Sequence, residues 1–155
     1  MEGKQIDQVL TQDPITASYF RGVFASDIIP DLRENEGIIV NLDSSTEPGS
    51  HWIAFFVMDS QTLEMFDSYG NSPQFYGNRF ENFISKYSTI HWNSTMFQSP
   101  TSNVCGAYCI YFIYKKCQGQ SLCTIVNKLS LCKNNDFRMY QFVKKKYGVR
   151  MIFRK

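Results

Sequence analysis

The sequence contains no run of 18 or more apolar residues, and residues 1–10 are polar, with Glu2, Lys4 and Asp7 among them. Neither a membrane-spanning helix nor a secretory signal is expected, so the reading is of an intracellular chain with no membrane partner. Cysteine is missing from the first 104 positions. The five that follow, Cys105, Cys109, Cys117, Cys123 and Cys132, are odd in number and lie 4, 8, 6 and 9 positions apart. No CxxC pair occurs, so no metal site is assigned and a disulfide framework is not expected. The GxSxG signature of serine hydrolases is also absent.

What is present suits a dense core. The 155 residues are 43% hydrophobic and 15% aromatic, with 13 Phe and 9 Tyr. A chain of this length fits one domain, here residues 1–155, expected to be a monomer. The net charge of +2 hides an asymmetry: residues 133–155 carry eight basic side chains against Asp136, or +7, leaving 8 basic against 13 acidic residues, or −5, elsewhere. Within that segment Lys144, Lys145, Lys146 and Arg150 are candidate contacts for DNA or another polyanion, and a solvated helix face is the competing explanation.

Ile6, Val9 and Leu10 recur at helical spacing over residues 4–10, and Pro14 stops that helix. After a turn-rich stretch, residues 37–42 (GIIVNL) read as a strand and residues 43–50 (DSSTEPGS) as its loop. Residues 51–58 (HWIAFFVM) and 63–68 (LEMFDS) read as two more strands joined by a short link at 59–62. Tyr76, Phe80, Phe83, Ile84 and Tyr87 predict a helix over 73–87 packed on a sheet, and residues 90–98 return as a strand. Residues 103–116 (NVCGAYCIYFIYKK) are apolar almost all round, which predicts a central buried helix beginning near Cys105; residues 121–131 and 135–147 predict two amphipathic helices. The fold class is α+β, a small and mostly antiparallel sheet flanked by helices.

A cysteine nucleophile needs a thiolate, an imidazole to relay the proton, and a group that holds the imidazole in one tautomer. Cys105 stands at a helix start, where free N–H groups and the positive dipole end favour an anion, and Gly106 leaves room for a substrate backbone. His51 heads an apolar strand after a polar loop, and Asp67 ends the next strand. Taken as hairpin neighbours, those strands are expected to set His51 and Asp67 near opposite ends of the pair, a conflict that the residues leave open. The papain order, Cys before His, is excluded because His51 precedes Cys105, and the sequence around Cys105 lacks the caspase signature.

The strings Gly49-Ser50-His51-Trp52-Ile53-Ala54-Phe55, Met65-Phe66-Asp67-Ser68-Tyr69-Gly70, Gln98, and Cys105-Gly106-Ala107-Tyr108-Cys109 resemble the adenovirus endopeptidase family. They are also similar to the Ulp/SENP proteases of ubiquitin-like proteins, which share that fold. The seven-residue step from Gln98 to Cys105 looks like the adenovirus branch, and the acid Asp67 like the Ulp branch. The resemblance extends to about Tyr114. It implies a thiol protease whose nucleophile is Cys105, with His51 as acid and base, Asp67 as its orienter, Gln98 and the Cys105 N–H as oxyanion donors, and Trp52 as roof of a channel for glycine beside the scissile bond. It implies a polypeptide substrate with a Gly-containing site, in virion maturation within a host nucleus or virion, or alternatively deconjugation of ubiquitin or SUMO. No cofactor is required by the residues. DNA or a peptide remains open as an activator, but a disulfide tether ahead of Cys105 is excluded because no cysteine stands there.

Overall fold

The computed structural model describes residues 1–46 and 50–154; the middle of the expected 43–50 loop, including Gly49, and Lys155 in the basic segment lie outside the described residues. Five strands, β1 (Phe20–Ala25), β2 (Gly37–Asn41), β3 (Trp52–Val57), β4 (Thr62–Phe66) and β5 (Thr89–Trp92), form one sheet in chain order. The pairings β2–β3 and β3–β4 are antiparallel, whereas β1–β2 and β4–β5 are parallel. The sheet is therefore mixed rather than mostly antiparallel. Parallel neighbours need a crossover, and the long connections 26–36 and 67–88 supply it at the two edges.

Both faces of the sheet are covered, which explains why the β3 sequence does not alternate. Ile38, Val40, Ile53, Phe55, Val57, Leu63 and Met65 face one layer with Phe80 and Phe83. Ile39, Ala54, Phe56 and Phe66 face the other, against the helix α3 (Cys105–Cys117), whose Ala107, Tyr108, Ile110, Phe112 and Ile113 are fully buried. Helices α1 (Gly3–Gln12), α4 (Leu122–Ser130) and α5 (Asn135–Tyr147) complete this second layer. They match the expected N-terminal helix, buried helix and two amphipathic helices to within a few residues.

A buried ion pair crosses from sheet to helix. Lys116 Nζ lies 2.6 Å from Glu64 Oε1, with the two side chains 3% and 9% exposed, and the ammonium sits 5.3 Å from the centre of the Phe56 ring.

Three local expectations give way. The 73–87 helix is broken into a 3-10 turn at Pro73–Tyr76 and the short helix α2 (Glu81–Ile84), because Gly77 between them has φ of 70°; its apolar spacing is met by packing on the sheet instead. The 90–98 strand stops at Trp92, because the Asn93 side chain replaces a peptide in the ladder: its Oδ1 accepts from Asp67 N–H at 2.9 Å and its Nδ2 donates to Asp67 O at 2.5 Å. Strand β1 was hidden in the turn-rich stretch, being an edge strand with an exposed Arg21, Gly22 at φ of 132°, and a break in register between Phe20 and Val23.

The hairpin β3–β4 is direct, yet it does not separate His51 from Asp67. Ala54 pairs with Phe66 and Val57 with Leu63, so in an antiparallel pair the residue before β3 and the residue after β4 emerge at the same end. The expected conflict came from treating the two strands as if they ran the same way.

Candidate active site

That shared end of the hairpin meets the N-terminus of α3. His51 Nε2 lies 2.8 Å from Asp67 Oδ1, with both residues buried. Since Nε2 is engaged by the carboxylate, Nδ1 is left for the neighbouring Cys105. Burial by itself would lower the His51 pKa, but the hydrogen bonds to Asp67 and Cys105, together with their charges, push it up to about 9. Burial would likewise raise the Cys105 thiol. The hydrogen bond and charge of His51, joined by the Trp52 backbone N–H, outweigh it and hold the thiol below its ordinary range. The half-buried Cys105 thus stands at a helix N-terminus beside the imidazole, where the dipole end and the His51 charge both favour the ionised form of the sulfur.

The other cysteines differ. All five are free, but burial raises Cys109 well above its ordinary pKa and pushes Cys117 up to about 11.

Asp67 is fully buried and both of its carboxylate oxygens accept hydrogen bonds. Oδ1 also accepts from the Tyr69 N–H at 3.0 Å, and Oδ2 accepts from the Tyr76 hydroxyl. The Tyr69 ring stacks on His51 with centroids 4.6 Å apart. Asn93 holds the Asp67 backbone on both sides, so backbone, carboxylate and imidazole are each fixed by a separate contact.

Gln98 is tied to the same turn. Its N–H and that of Phe97 both donate to Ser68 O at 2.9 Å. The Ser68 hydroxyl donates to Gln98 Oε1, which sets the amide's orientation, and Nε2 donates to Ser102 O at 3.1 Å with one N–H remaining. The close approach of the two loops requires Gly70, where φ is 74° and an added Cβ would lie 2.7 Å from Thr95 C.

Trp52 and Gly106 are placed differently from one another. Gly106 is buried, and a Cβ there would meet Ile6 Cδ1 at 3.2 Å and Met1 Cβ and Trp52 Cδ1 at 3.4 Å. Its missing side chain makes room for α1 and the indole. Trp52 is half-buried beside Cys105; its Nε1 donates to Met1 O at 3.2 Å and its ring edge lies against Gly3.

The candidate DNA contacts do not form one patch. Successive residues on a helix point about 100° apart, and the three lysines follow that rule. Lys144 rests on Tyr140, Lys145 lines a groove with Lys128 and Arg138, and Lys146 lies over Tyr114 and 3.7 Å from Asp13. Arg150 joins Lys146 along the α1 side. Among the described residues no group of three or more His, Cys, Asp or Glu side chains is placed to hold a metal ion, and no helix is long and apolar enough to cross a membrane.

A sheet covered on both faces, with a cysteine-bearing helix set against the His–Asp end of a hairpin, is an α+β fold that this chain shares with a solved viral cysteine protease. The chain is 32% identical over 130 residues to a protein named as a thiol protease in Acanthamoeba polyphaga mimivirus, covering 72% of this chain and 42% of that one. It is 28% identical over 117 residues to a cysteine protease of African swine fever virus, covering 68% and 41%. A crystal structure of the African swine fever virus protease superposes with a TM-score of 0.56 at 19% identity, over 91% of this chain and 64% of that one. The chain thus spans about two fifths of the length of these relatives in sequence. No family model matches it.

The residues that sequence reasoning passed over are Tyr76 and Asn93, which hold Asp67 from positions 9 and 26 residues further on. Ser68, Tyr69 and Gly70 were present in the motif but without a role; their function emerges only when the 93–98 loop is laid across them.

Proposed function

We propose that this chain is a cysteine endopeptidase that cuts polypeptides at Gly-containing sites, acting on precursor proteins of a virus or virus-derived element. The observation that supports it most is the Cys105–His51–Asp67 line, with a lowered thiol, a raised imidazole and a carboxylate at 2.8 Å. In this mechanism the Cys105 thiolate attacks the scissile carbonyl carbon while the remaining Gln98 Nε2–H and the Cys105 backbone N–H stabilise the oxyanion. Such a donor is worth about 3 kcal/mol. His51 then gives its proton to the departing amine, and the acyl-enzyme is hydrolysed by a water that His51 deprotonates. Asp67 keeps the ring in the tautomer that presents Nδ1 to sulfur.

The indole of Trp52, braced by Met1 and Gly3, is the wall that would exclude side chains from the residue before the cut. Purified protein incubated with a Gly-Gly peptide library and with a ubiquitin-type activity probe tests the reading. Cleavage confined to Gly-containing peptides supports it; capture of the ubiquitin probe with no peptide cleavage points to a deconjugating enzyme, and inertness toward both removes it. Trp52→Ala is expected to relax the glycine preference toward Ala or Ser and to lower kcat/KM on the Gly substrate about 10-fold, because positioning is lost with the wall. An unchanged library profile would show Trp52 to be core only.

Tyr76 gives a finer expectation. Tyr76→Phe removes the donor from the buried Asp67 Oδ2, a loss of about 1 to 2 kcal/mol, or 5- to 30-fold in kcat/KM. Freed of that donor, Asp67 holds the imidazolium more tightly, so the alkaline limb of the pH–rate profile should move upward. A purely structural role would lower activity without moving the limb.

A further inference from the structure

Beside Gln98 lies an apolar hollow of about 920 Å³ that the chemistry above leaves unused. Met96, Phe97, Gln98 and Pro100 form one wall, and Phe137 of α5 with Phe153 forms the other. These walls are braced. Phe97 stacks on the core residue Phe66 with centroids 6.3 Å apart, and Phe153 packs on Phe137 at 5.8 Å and on Tyr140 at 5.2 Å. Yet Met96 and Phe137 are 50% and 44% exposed, so two large apolar side chains face the opening. The only charged residue in the lining, Asp136, is already occupied: Oδ2 accepts from the Ser99 N–H at 3.0 Å and Oδ1 from the Tyr108 hydroxyl at 2.8 Å. Among the described residues no cation lines the hollow. Ser99, Asn134 and Asn135 add polar atoms on one side, whereas an apolar occupant would cover the exposed Phe and Met surface on the other.

We infer that this hollow is a substrate subsite that takes an apolar side chain, Leu- or Phe-like, from the residue immediately after the scissile bond. The inference rests on the protease reading and adds a second determinant of specificity to it. Continuity with the site selects the occupant, because Gln98 belongs both to the hollow and to the oxyanion pair. The side follows from Trp52: the indole, Met1 and Gly106 lie together and share no residue with the hollow. If the residue before the cut lies under the indole, the departing segment runs past Gln98 toward Phe137.

The test uses the full chain and two kinds of substrate. A Gly-Gly coumarin amide has no amino acid after the cut and reports the chemistry alone. Quenched-fluorescence peptides with Leu, Phe, Gly, Lys or Asp after the cut, in one fixed context, report the hollow. Leu and Phe are expected to exceed Gly, Lys and Asp by about 10-fold or more in kcat/KM, the scale of an apolar pocket contact. In Phe137→Ser and in Met96→Ser, each checked for an unchanged Tm, the Leu-to-Gly ratio should fall to within about 3-fold of unity. Coumarin release with a flat profile at that position, or a Leu preference kept in both variants, overturns the inference while leaving the protease reading intact. Absence of coumarin release and of all peptide cleavage overturns both.

Discussion

Cys105→Ala is expected to abolish peptide hydrolysis, lowering kcat/KM by about 10⁴- to 10⁶-fold, the scale on which removal of a nucleophile acts. The fold should survive, because alanine suits the first turn of α3 and the side chain removed is small and only half-buried. Single replacements of Cys109, Cys117, Cys123 and Cys132 should leave hydrolysis in place. Iodoacetamide followed by peptide mapping checks the assignment independently: modification of Cys105 should accompany loss of activity. Labelling of another cysteine with loss of activity while Cys105 stays unmodified would overturn it.

The pH profile follows from the same pair. The Cys105 thiol is held below its ordinary range, so the thiolate survives as pH falls until that lowered value is reached. The imidazolium at His51 persists until pH rises through about 9. Activity should therefore hold a plateau between the two and fall on the alkaline side near 9, where His51 loses the proton it must donate. The two limbs belong to the coupled pair rather than to either residue. In stability, the raised His51 contributes fully below pH 6.5 and that contribution is lost as pH passes through about 9. The depressed thiol acts with the opposite sign, its contribution disappearing as pH falls through its folded value. An activity maximum lying wholly above pH 10 would contradict the ion pair.

The second large effect lies in the core. Lys116→Met leaves Glu64 buried between β4 and α3 with no counter-charge, and should cost about 3 to 5 kcal/mol in urea unfolding, a large part of a typical domain's total. Glu64→Met combined with Lys116→Met should recover most of the loss, because replacing both charges by apolar groups removes the desolvation penalty with the attraction. A single variant within 1 kcal/mol of wild type would show the pair to be idle. A double variant as unstable as the single one would place the loss in the packing of the lysine stem over Phe56.

Most helices were legible because their apolar positions recur on one stripe or, for α3, all round. The strands β2, β3 and β4 were legible because both faces of the sheet are buried and their residues are mostly apolar, with Glu64 of β4 as the charged exception. The edge strands were not. β1 carries an exposed Arg21 and a positive-φ glycine, while β5 ends where Asn93 turns inward, and an edge strand needs only one partner and one covered face. The sequence could name His51, Asp67, Gln98 and Cys105 through their ordered motifs, but it misjudged how a hairpin brings the first two together.

By itself the sequence determined the layers of this protein, since hydrophobic periodicity is a local property that each segment carries with it. It also supplied the candidate nucleophile and the order of its partners, because those side chains are written into short motifs. Only the tertiary structure decided that the outer strands run parallel, that Tyr76 and Asn93 close around Asp67, that Lys116 finds Glu64, and that the lysines at 144–146 point three ways. Each of these depends on residues meeting at a particular register or angle, and that meeting is set by crossover connections and packing rather than by hydrophobic pattern.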